Sequence, residues 1–338
     1  MQVLEKVGRD LDCVISLDLG YKFGEKDNLK NLYEATRKAN ELSSAESVTY
    51  FTAKKLSALL GSPSNVIITT GFRWPPDVMG GETDGPVGAA SLARTLHLGY
   101  RSNIVFVLEE ELLAMMGEVA RVAGLPVHPH LLISFPKEKE TADREAKRII
   151  QEIKPACVIS IERPGANFKG KYHSSKGINI SEDIIAKVDI LVAEAKRQGI
   201  LTIGIGDIGN ELGLGKIREA IFENVKAGKK CQCPCQGGVA PSVEADIPII
   251  AGVSNWGGHA IAAMLAAIKG NIEIFHNGIL EREMIEGCIR EKAMDGGTKK
   301  PDIGVDSLPA VLHSSVVEVM RTIVNSALRT MAGSLTSR

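Results

Sequence analysis

Five acidic side chains in three glycine-rich segments carry most of the chemistry legible in this chain. Glu82 and Asp84 stand in Gly80-Gly-Glu-Thr-Asp-Gly-Pro86, after a long loop that begins Phe72-Arg-Trp-Pro-Pro76. One acid there would suit the positive end of the helix that follows, but two beside flexible backbone suggest a shaped pocket. Glu162 adjoins Arg163 in Glu162-Arg-Pro-Gly165. A guanidinium binds a carboxylate through two parallel N–H···O bonds, so Arg163 is a candidate clamp for a substrate carboxylate, the alternative being a structural ion pair in a buried turn. Asp207, Asn210 and Glu211 lie together in Gly206-Asp-Ile-Gly-Asn-Glu211. These are oxygen donors for a hard divalent cation such as Mg2+ or Mn2+, or anchors for an amino group. Asn255-Trp-Gly-Gly-His259 opens a helix, where glycines let a ligand reach backbone N–H groups or simply permit close packing. Tyr172 and His173 sit in the long loop after Arg163 and are expected to cover the pocket.

Other patterns point elsewhere. Gly204-Ile-Gly-Asp-Ile-Gly209 has the spacing of a dinucleotide fingerprint. The acid that should end a second strand about 20 residues on is missing, and the charge of Asp207 would repel a pyrophosphate, so no nicotinamide cofactor is expected. Cys231, Cys233 and Cys235 alternate along an extended segment, and zinc or an iron–sulfur cluster could use them. Their spacing is not C-x-x-C, and the neighbouring sequence offers neither a second pair nor a fourth ligand. His128-Pro-His130 has the same ambiguity. Glu109-Glu-Glu111 favours the start of the helix that follows.

These motifs share a position. Apolar runs begin at Val66, Ile104, Val127, Val158, Ile200 and Ile247, and the acidic and asparagine motifs stand just past the ends of four of them. Helical patterns separate the runs. Pro86 suits a first helical turn in a helix ended by Gly99; residues 141–153 form a charged amphipathic helix; Ser181-Glu-Asp183 caps one that ends at Gly199. Near-continuous apolar strands alternating with helices predict a Rossmann-like, doubly wound, mostly parallel α/β sheet of about six strands. The carboxyl ends of such strands share one edge, where ligands bind. One domain is expected over residues 1–338, with a helical segment over 1–60, the core over 61–270 and a helical segment over 271–338. The last helix carries Leu308, Leu312, Val316, Val319, Ile323 and Ala327 at helical spacing, to pack on the sheet or on a second copy in a homo-oligomer.

Composition narrows the class. The chain has 338 residues, 44% of them hydrophobic, so it can bury a large core. With 40 basic and 41 acidic residues the net charge is -1, which gives no footprint for nucleic acid or an anionic membrane. No apolar stretch is long enough to span a bilayer and the first residues lack a secretory core, so a soluble, cytoplasmic protein is expected. The six cysteines are few for the length and unevenly spaced, so no disulfide framework is expected.

In this order the motifs resemble the D-glutamate cyclase family, specifically its C-terminal domain. The matching strings are Ile68-Thr-Thr-Gly-Phe72, Glu82-Thr-Asp-Gly-Pro86, Ile161-Glu-Arg163, Gly206-Asp207, Gly209-Asn-Glu-Leu-Gly213, Val243-Glu-Ala-Asp246, Ala251-Gly-Val-Ser-Asn-Trp-Gly-Gly258 and Val305-Asp306. They cover roughly residues 60–310. The resemblance implies an α/β fold and a lyase that closes D-glutamate to 5-oxo-D-proline with loss of water, so that a small amino acid or its lactam is the partner. Departures are Ile208 and Ser307 where glycine is expected, His259 where tyrosine is expected, and the Cys231 cluster. The separate, large domain that precedes this one in the eukaryotic cyclase has no room in this chain.

Lactam closure needs an acid/base group for the ammonium proton, another for the departing oxygen, and a charge to polarise the carboxylate. The resemblance and the residue types together nominate Glu82, Asp84, Glu162, Asp207 and Glu211 as catalytic. Arg163, Asn210, Asn255, Trp256, Thr70, Gly71 and Tyr172 would bind substrate, and Asp84, Asp207 and Glu211 a divalent cation. Two alternatives are a metal-dependent hydrolase of lactams or cyclic amides and a non-catalytic ligand-binding subunit of a two-component cyclase.

Overall fold

A computed structural model describes residues 2–24, 26–61, 63–73, 80–126, 131–181 and 184–336. Six strands, β1 (Asn65–Thr70), β2 (Asn103–Leu108), β3 (Leu132–Ser134), β4 (Cys157–Ile161), β5 (Leu201–Gly206) and β6 (Ile247–Ile250), form one all-parallel sheet in the order β3-β2-β1-β4-β5-β6. This is the strand order of dinucleotide-binding doubly wound folds. It confirms the predicted sheet and fixes its switch point. From β1 the chain continues to β2 on one side, and from β4 to β5 on the other, so a crevice opens between the carboxyl ends of β1 and β4.

The strands are apolar throughout because both faces are covered. Val66 and Ile68 of β1, Ile104 and Phe106 of β2 and Ile159 and Ile161 of β4 point into one core, shared with α4 (Pro86–Tyr100), α5 (Leu113–Val122) and α9 (Ser254–Lys269). Ile67, Val105, Val107 and Val158 point to the other face, under α6 (Lys139–Ile153) and α7 (Val188–Arg197). Full burial of one such side chain contributes roughly 1.5–3 kcal/mol, so the alternation locks the register.

The N-terminal helices α1 (Gln2–Ile15), α2 (Asn28–Ala39) and α3 (Val48–Leu59) pack around α9 and β6. After β5 comes the short α8 (Arg218–Asn224). The C-terminal part comprises α10 (Gly278–Arg290), a hairpin of β7 (Gly304–Val305) and β8 (Leu308–Pro309), and α11 (Ala310–Thr336). No described helix is long and apolar enough to cross a membrane.

Several sequence expectations shift. The third strand is described at Leu132–Ser134; Val127, where its apolar run begins, lies outside the described residues with His128 and His130, as do Trp74-Pro-Pro76. Gly99 does not end its helix: α4 runs to Tyr100, and a Cβ on Gly99 would meet the Ile274 side chain at 2.5 Å. The helix assigned to a Ser181 cap begins at Val188, Glu182 and Asp183 being outside the described residues. In α11 the inward stripe is Val316, Val317, Met320, Val324 and Ala327, while Val319 faces solvent. That helix packs on α1, α9 and α10 rather than on the sheet.

Candidate active site

The loop after β1 is folded back over the switch point by a glycine. Gly85 has φ +98, and a Cβ there would stand 2.6 Å from Thr70 Oγ1 and 2.8 Å from Glu162 Cβ. Only glycine lets Glu82 and Asp84 lie against the ends of β1 and β4. Asn255 then pins that loop: its Oδ1 accepts the N–H groups of Gly85 (2.8 Å) and Gly88 (2.7 Å), and its Nδ2 donates to Thr83 O at 3.0 Å. Asp84 in turn accepts the first N–H groups of α9, from Asn255 at 2.8 Å and Ser254 at 3.0 Å. The anion expected at that helix start is therefore supplied by the chain itself.

Glu162 follows β4 with φ +44, a left-handed conformation that a residue with a Cβ adopts at a cost. Its Oε2 accepts the Ser254 hydroxyl at 2.5 Å. Asp207 follows β5. The carboxyl of Glu211 curls back to accept Gly209 N at 2.7 Å and Ile208 N at 3.2 Å. All five acids named from the sequence are thus buried and gathered at one edge of the sheet.

Two residues that sequence reasoning missed complete the cluster. Asp18 caps the turn at Lys22 and Phe23, accepting their N–H groups at 2.9 and 3.2 Å. From that turn Lys22 reaches inward and donates to Asp207 and, at 2.5 Å, to Asp306. Asp306 occupies the turn between β7 and β8 beside Ser307, with φ values of +55 and +67. That explains why a glycine would suit position 307. The hairpin is held over the site by the Thr83 hydroxyl, which donates to Gly304 O at 2.8 Å. Asp306 had a signal, the string Val305-Asp306. Lys22 is an isolated lysine between glycines and had none.

The electrostatics follow from burial and like charge. Burial first, then Asp306, raises Glu82; burial, then Asp306 and Asp207, raises Asp84. Burial, then Asp207 and Glu211, raises Glu162 well above the usual carboxylate range. Asp207 and Glu211 are also raised, burial leading in both. Burial would lower Lys22, but Asp207, Asp306 and Asp84 outweigh it and hold the ammonium charged. Asp306 goes the other way: burial would raise it, but the Lys22 charge and its hydrogen bonds outweigh that. Groups of one type are therefore split between proton-holding and ionised states, as acid/base sites require.

The proposed binding residues divide. Thr70 lies beside Gly85 with its buried hydroxyl unpartnered. Asn210 donates to His173 O at 3.0 Å and keeps a buried, unpartnered Oδ1. Arg163 does not join the cluster. Fully buried, it pairs through both terminal nitrogens with Glu109 and donates to Gly71 O (3.2 Å) and Ala186 O (2.8 Å). Its terminal donors are occupied within the protein, so the carboxylate it clamps is Glu109, an acid read from sequence as a helix-start residue. The Gly71 carbonyl is taken by the same arginine. The Tyr172 hydroxyl donates to Asp189, and its ring packs with Phe72, Ile180 and Ile185. Trp256 is wholly buried and donates to His313 Nδ1 at 3.1 Å. Asn255 spends all three polar contacts on the loop. The terminal donors of Arg163, the Gly71 carbonyl, the Tyr172 hydroxyl, the Trp256 N–H and the Asn255 amide are thus already partnered within the protein.

The group of carboxylates spaced to hold a cation also differs by one residue from the one expected. The carboxylates of Asp84, Glu162 and Asp207 bring oxygens within 4.8 Å of one another. Glu211, expected third, lies outside that group; it and Asp84 both also accept backbone N–H groups. Asp207 Oδ1 is buried without a donor, which leaves it free to ligate.

A family model described as "D-glutamate cyclase-like, C-terminal" matches residues 22–321. Human mitochondrial D-glutamate cyclase is 30% identical over 310 residues, covering 80% of this chain and 47% of the human protein. The chain therefore spans about half the length of that curated relative.

Proposed function

The chain belongs to the D-glutamate cyclase-like family, and from that premise we propose that it is a lyase interconverting D-glutamate and 5-oxo-D-proline. The observation that carries this reading is the buried carboxyl cluster closed around the Lys22 ammonium. A place that holds one primary ammonium between Asp207 and Asp306 suits the ammonium of a small amino acid. Closure forms the bond from nitrogen to the side-chain carboxyl carbon and breaks one carbon–oxygen bond of that carboxyl. Two protons leave nitrogen, and two arrive on the oxygen that departs as water. Carboxyls raised toward neutrality can perform both transfers, Asp207 receiving from nitrogen and Glu162 or Asp84 donating to oxygen. Lys22, with Arg163 occupied elsewhere, is the cation suited to a substrate carboxylate. Folding the substrate inside a closed site removes freedom that would otherwise oppose ring closure. As an alternative to those proton transfers, Asp84, Glu162 and Asp207 in their ionised forms would hold a Mg2+ or Mn2+ ion, which when bound supplies polarisation of a carboxyl oxygen.

The purified chain, incubated with D-glutamate or 5-oxo-D-proline and Mg2+, Mn2+ or EDTA, is expected to interconvert the two. Asp207→Asn should slow turnover by at least about 100-fold, a loss typical of an acid/base group, with the fold intact. A well-folded sample inert in both directions with either ion overturns the reading. Opening of hydantoins instead would make the site a cyclic amide hydrolase. Turnover appearing only on mixing with the other half of such a relative would make it a binding subunit.

A further inference from the structure

A second set of side chains converges away from the carboxyl cluster. Cys231, Cys233 and Cys235 lie between α8 and β6, and His173 lies on the long connection between β4 and α7. Cys231 Sγ is 3.5 Å from Cys233 Sγ and 3.3 Å from Cys235 Sγ. His173 Nε2 is 3.3 Å from Cys233 Sγ and 3.6 Å from Cys235 Sγ. All four donor atoms fall within 4.8 Å of one another. The fourth ligand absent from the neighbouring sequence thus arrives from a segment about 60 residues away in the chain.

The spacing discriminates among the possible uses of three thiols. A tetrahedral zinc ion with Zn–S of about 2.3 Å and Zn–N of about 2.0–2.1 Å sets S···S near ~3.8 Å and S···N near ~3.5 Å. The observed separations lie within about half an ångström of those values. An iron–sulfur cluster places several irons and sulfides between its ligands and spreads the thiolates more widely than sulfurs in contact. A disulfide would use two of the three sulfurs and leave the imidazole without a purpose. Two donors face Cys235 Sγ, Gly237 N at 3.4 Å and Asn167 Nδ2 at 3.6 Å. Asn167 is buried and also donates to Gly238 O at 2.7 Å, tying the two segments beside the sulfurs. Such outer contacts orient ligands and tune their charge.

We propose that Cys231, Cys233, Cys235 and His173 form a closed Cys3His site for a structural zinc ion. Four protein ligands leave no open position, the mark of a structural rather than a catalytic centre. The ion would clamp the 162–187 connection to the 225–246 segment. The consequence reaches the carboxyl cluster through Asn210, which donates to the carbonyl of the ligand His173 and accepts Gly165 N at 3.0 Å. This site is separate from the Asp84, Glu162 and Asp207 carboxylates, and its existence does not depend on the reaction catalysed.

The test is zinc binding by the full chain. After desalting in reducing buffer with Zn2+ as the sole added metal, elemental analysis should find one tightly held zinc per chain. X-ray absorption should show three sulfur neighbours at about 2.3 Å and one nitrogen. Cys233→Ser and His173→Ala should each lower retained zinc at least about tenfold under chelator challenge, because binding free energy is shared among the ligands. Asp207→Asn should leave it unchanged, which separates this ion from any cation on the carboxylates. The wild-type measurements decide the matter even if a variant fails to fold. A folded chain that retains no zinc, shows only oxygen and nitrogen neighbours, contains a Cys231–Cys235 disulfide, or carries an iron–sulfur chromophore overturns the assignment.

Discussion

Replacing Arg163 with Met decides whether that arginine serves the substrate or the fold. The guanidinium makes four buried hydrogen bonds, two to Glu109 and one each to Gly71 O and Ala186 O. Without it, Glu109 remains fully buried with Ala186 N, at 2.9 Å, as its remaining donor. Removing one partner of a buried pair costs about 3–5 kcal/mol, because the charge left behind stays desolvated. At about 2 °C per kcal/mol for a chain of this size, the melting temperature should fall by ~6–10 °C. Glu109→Leu should behave similarly. The double variant should recover a large part of the loss, since two apolar groups of similar volume need no counter-charge. Thermal melts of the four proteins, read beside KM for D-glutamate, complete the cycle. An Arg163→Met protein that melts within about 2 °C of wild type, a change of only ~1 kcal/mol, but has a strongly raised KM would refute the structural assignment and restore the clamp.

Glu162→Gln should stabilise the protein while removing activity. Burial and the Asp207, Glu211, Asp84 and Glu82 carboxyls lead the influences on this carboxyl and oppose its charge, and an amide oxygen can still accept the Ser254 hydroxyl. A gain of about 0.5–2 kcal/mol is expected at neutral pH, as for other strained functional groups. A raised native pKa contributes stability below the unfolded value of 4.5 and loses it as pH rises, so the advantage of the variant in melting temperature should grow with pH. An advantage that instead grows as pH falls would count against the reading. The buried His276 behaves oppositely. Burial pulls it down to about 4 despite Glu281, so the unfolded chain takes up a proton near pH 6.5 that the native chain refuses. Wild-type melting temperature should therefore drop between about pH 6.5 and 4, and His276→Gln should flatten that acid limb; an unchanged limb would exclude the histidine as its source.

The sheet was legible because its signal is local. Continuous runs such as Val66-Ile-Ile and Val158-Ile-Ser-Ile bury both faces, and the polar residues after them had to lie along one edge. The gathering of Glu82, Asp84, Glu162, Asp207 and Glu211 followed from that topology. What each side chain does there was less legible, because partner choice depends on contacts distant in sequence. Arg163 is separated by 54 residues from Glu109, and Lys22 by 185 from Asp207. His173 and the three cysteines give the same lesson: spacing along the chain hid a fourth ligand that folding brings to 3.3 Å. Short strands failed for a different reason. β3 has only three residues and no fully buried position, too little to stand out from the loop before it.

The contrast between scaffold and site explains what this sheet has become. At the switch point of a doubly wound fold, backbone N–H groups at helix starts ordinarily favour an anionic phosphate. Here Asp84 accepts the first N–H groups of α9, and Glu82, Glu162 and Asp207 surround the crevice, so a phosphate would find those donors taken and buried carboxyls in its place. The same end of the sheet now favours a cation, and Lys22 supplies one. Lys22 and Asp306 both come from outside the sheet, and their side chains remain 13% and 15% exposed while the acids beneath are closed off. Any substrate ammonium must therefore displace Lys22 or share its carboxylates. On the proposed reading, substrate entry would be coupled to the turn capped by Asp18 and to the β7–β8 hairpin, rather than to the strands.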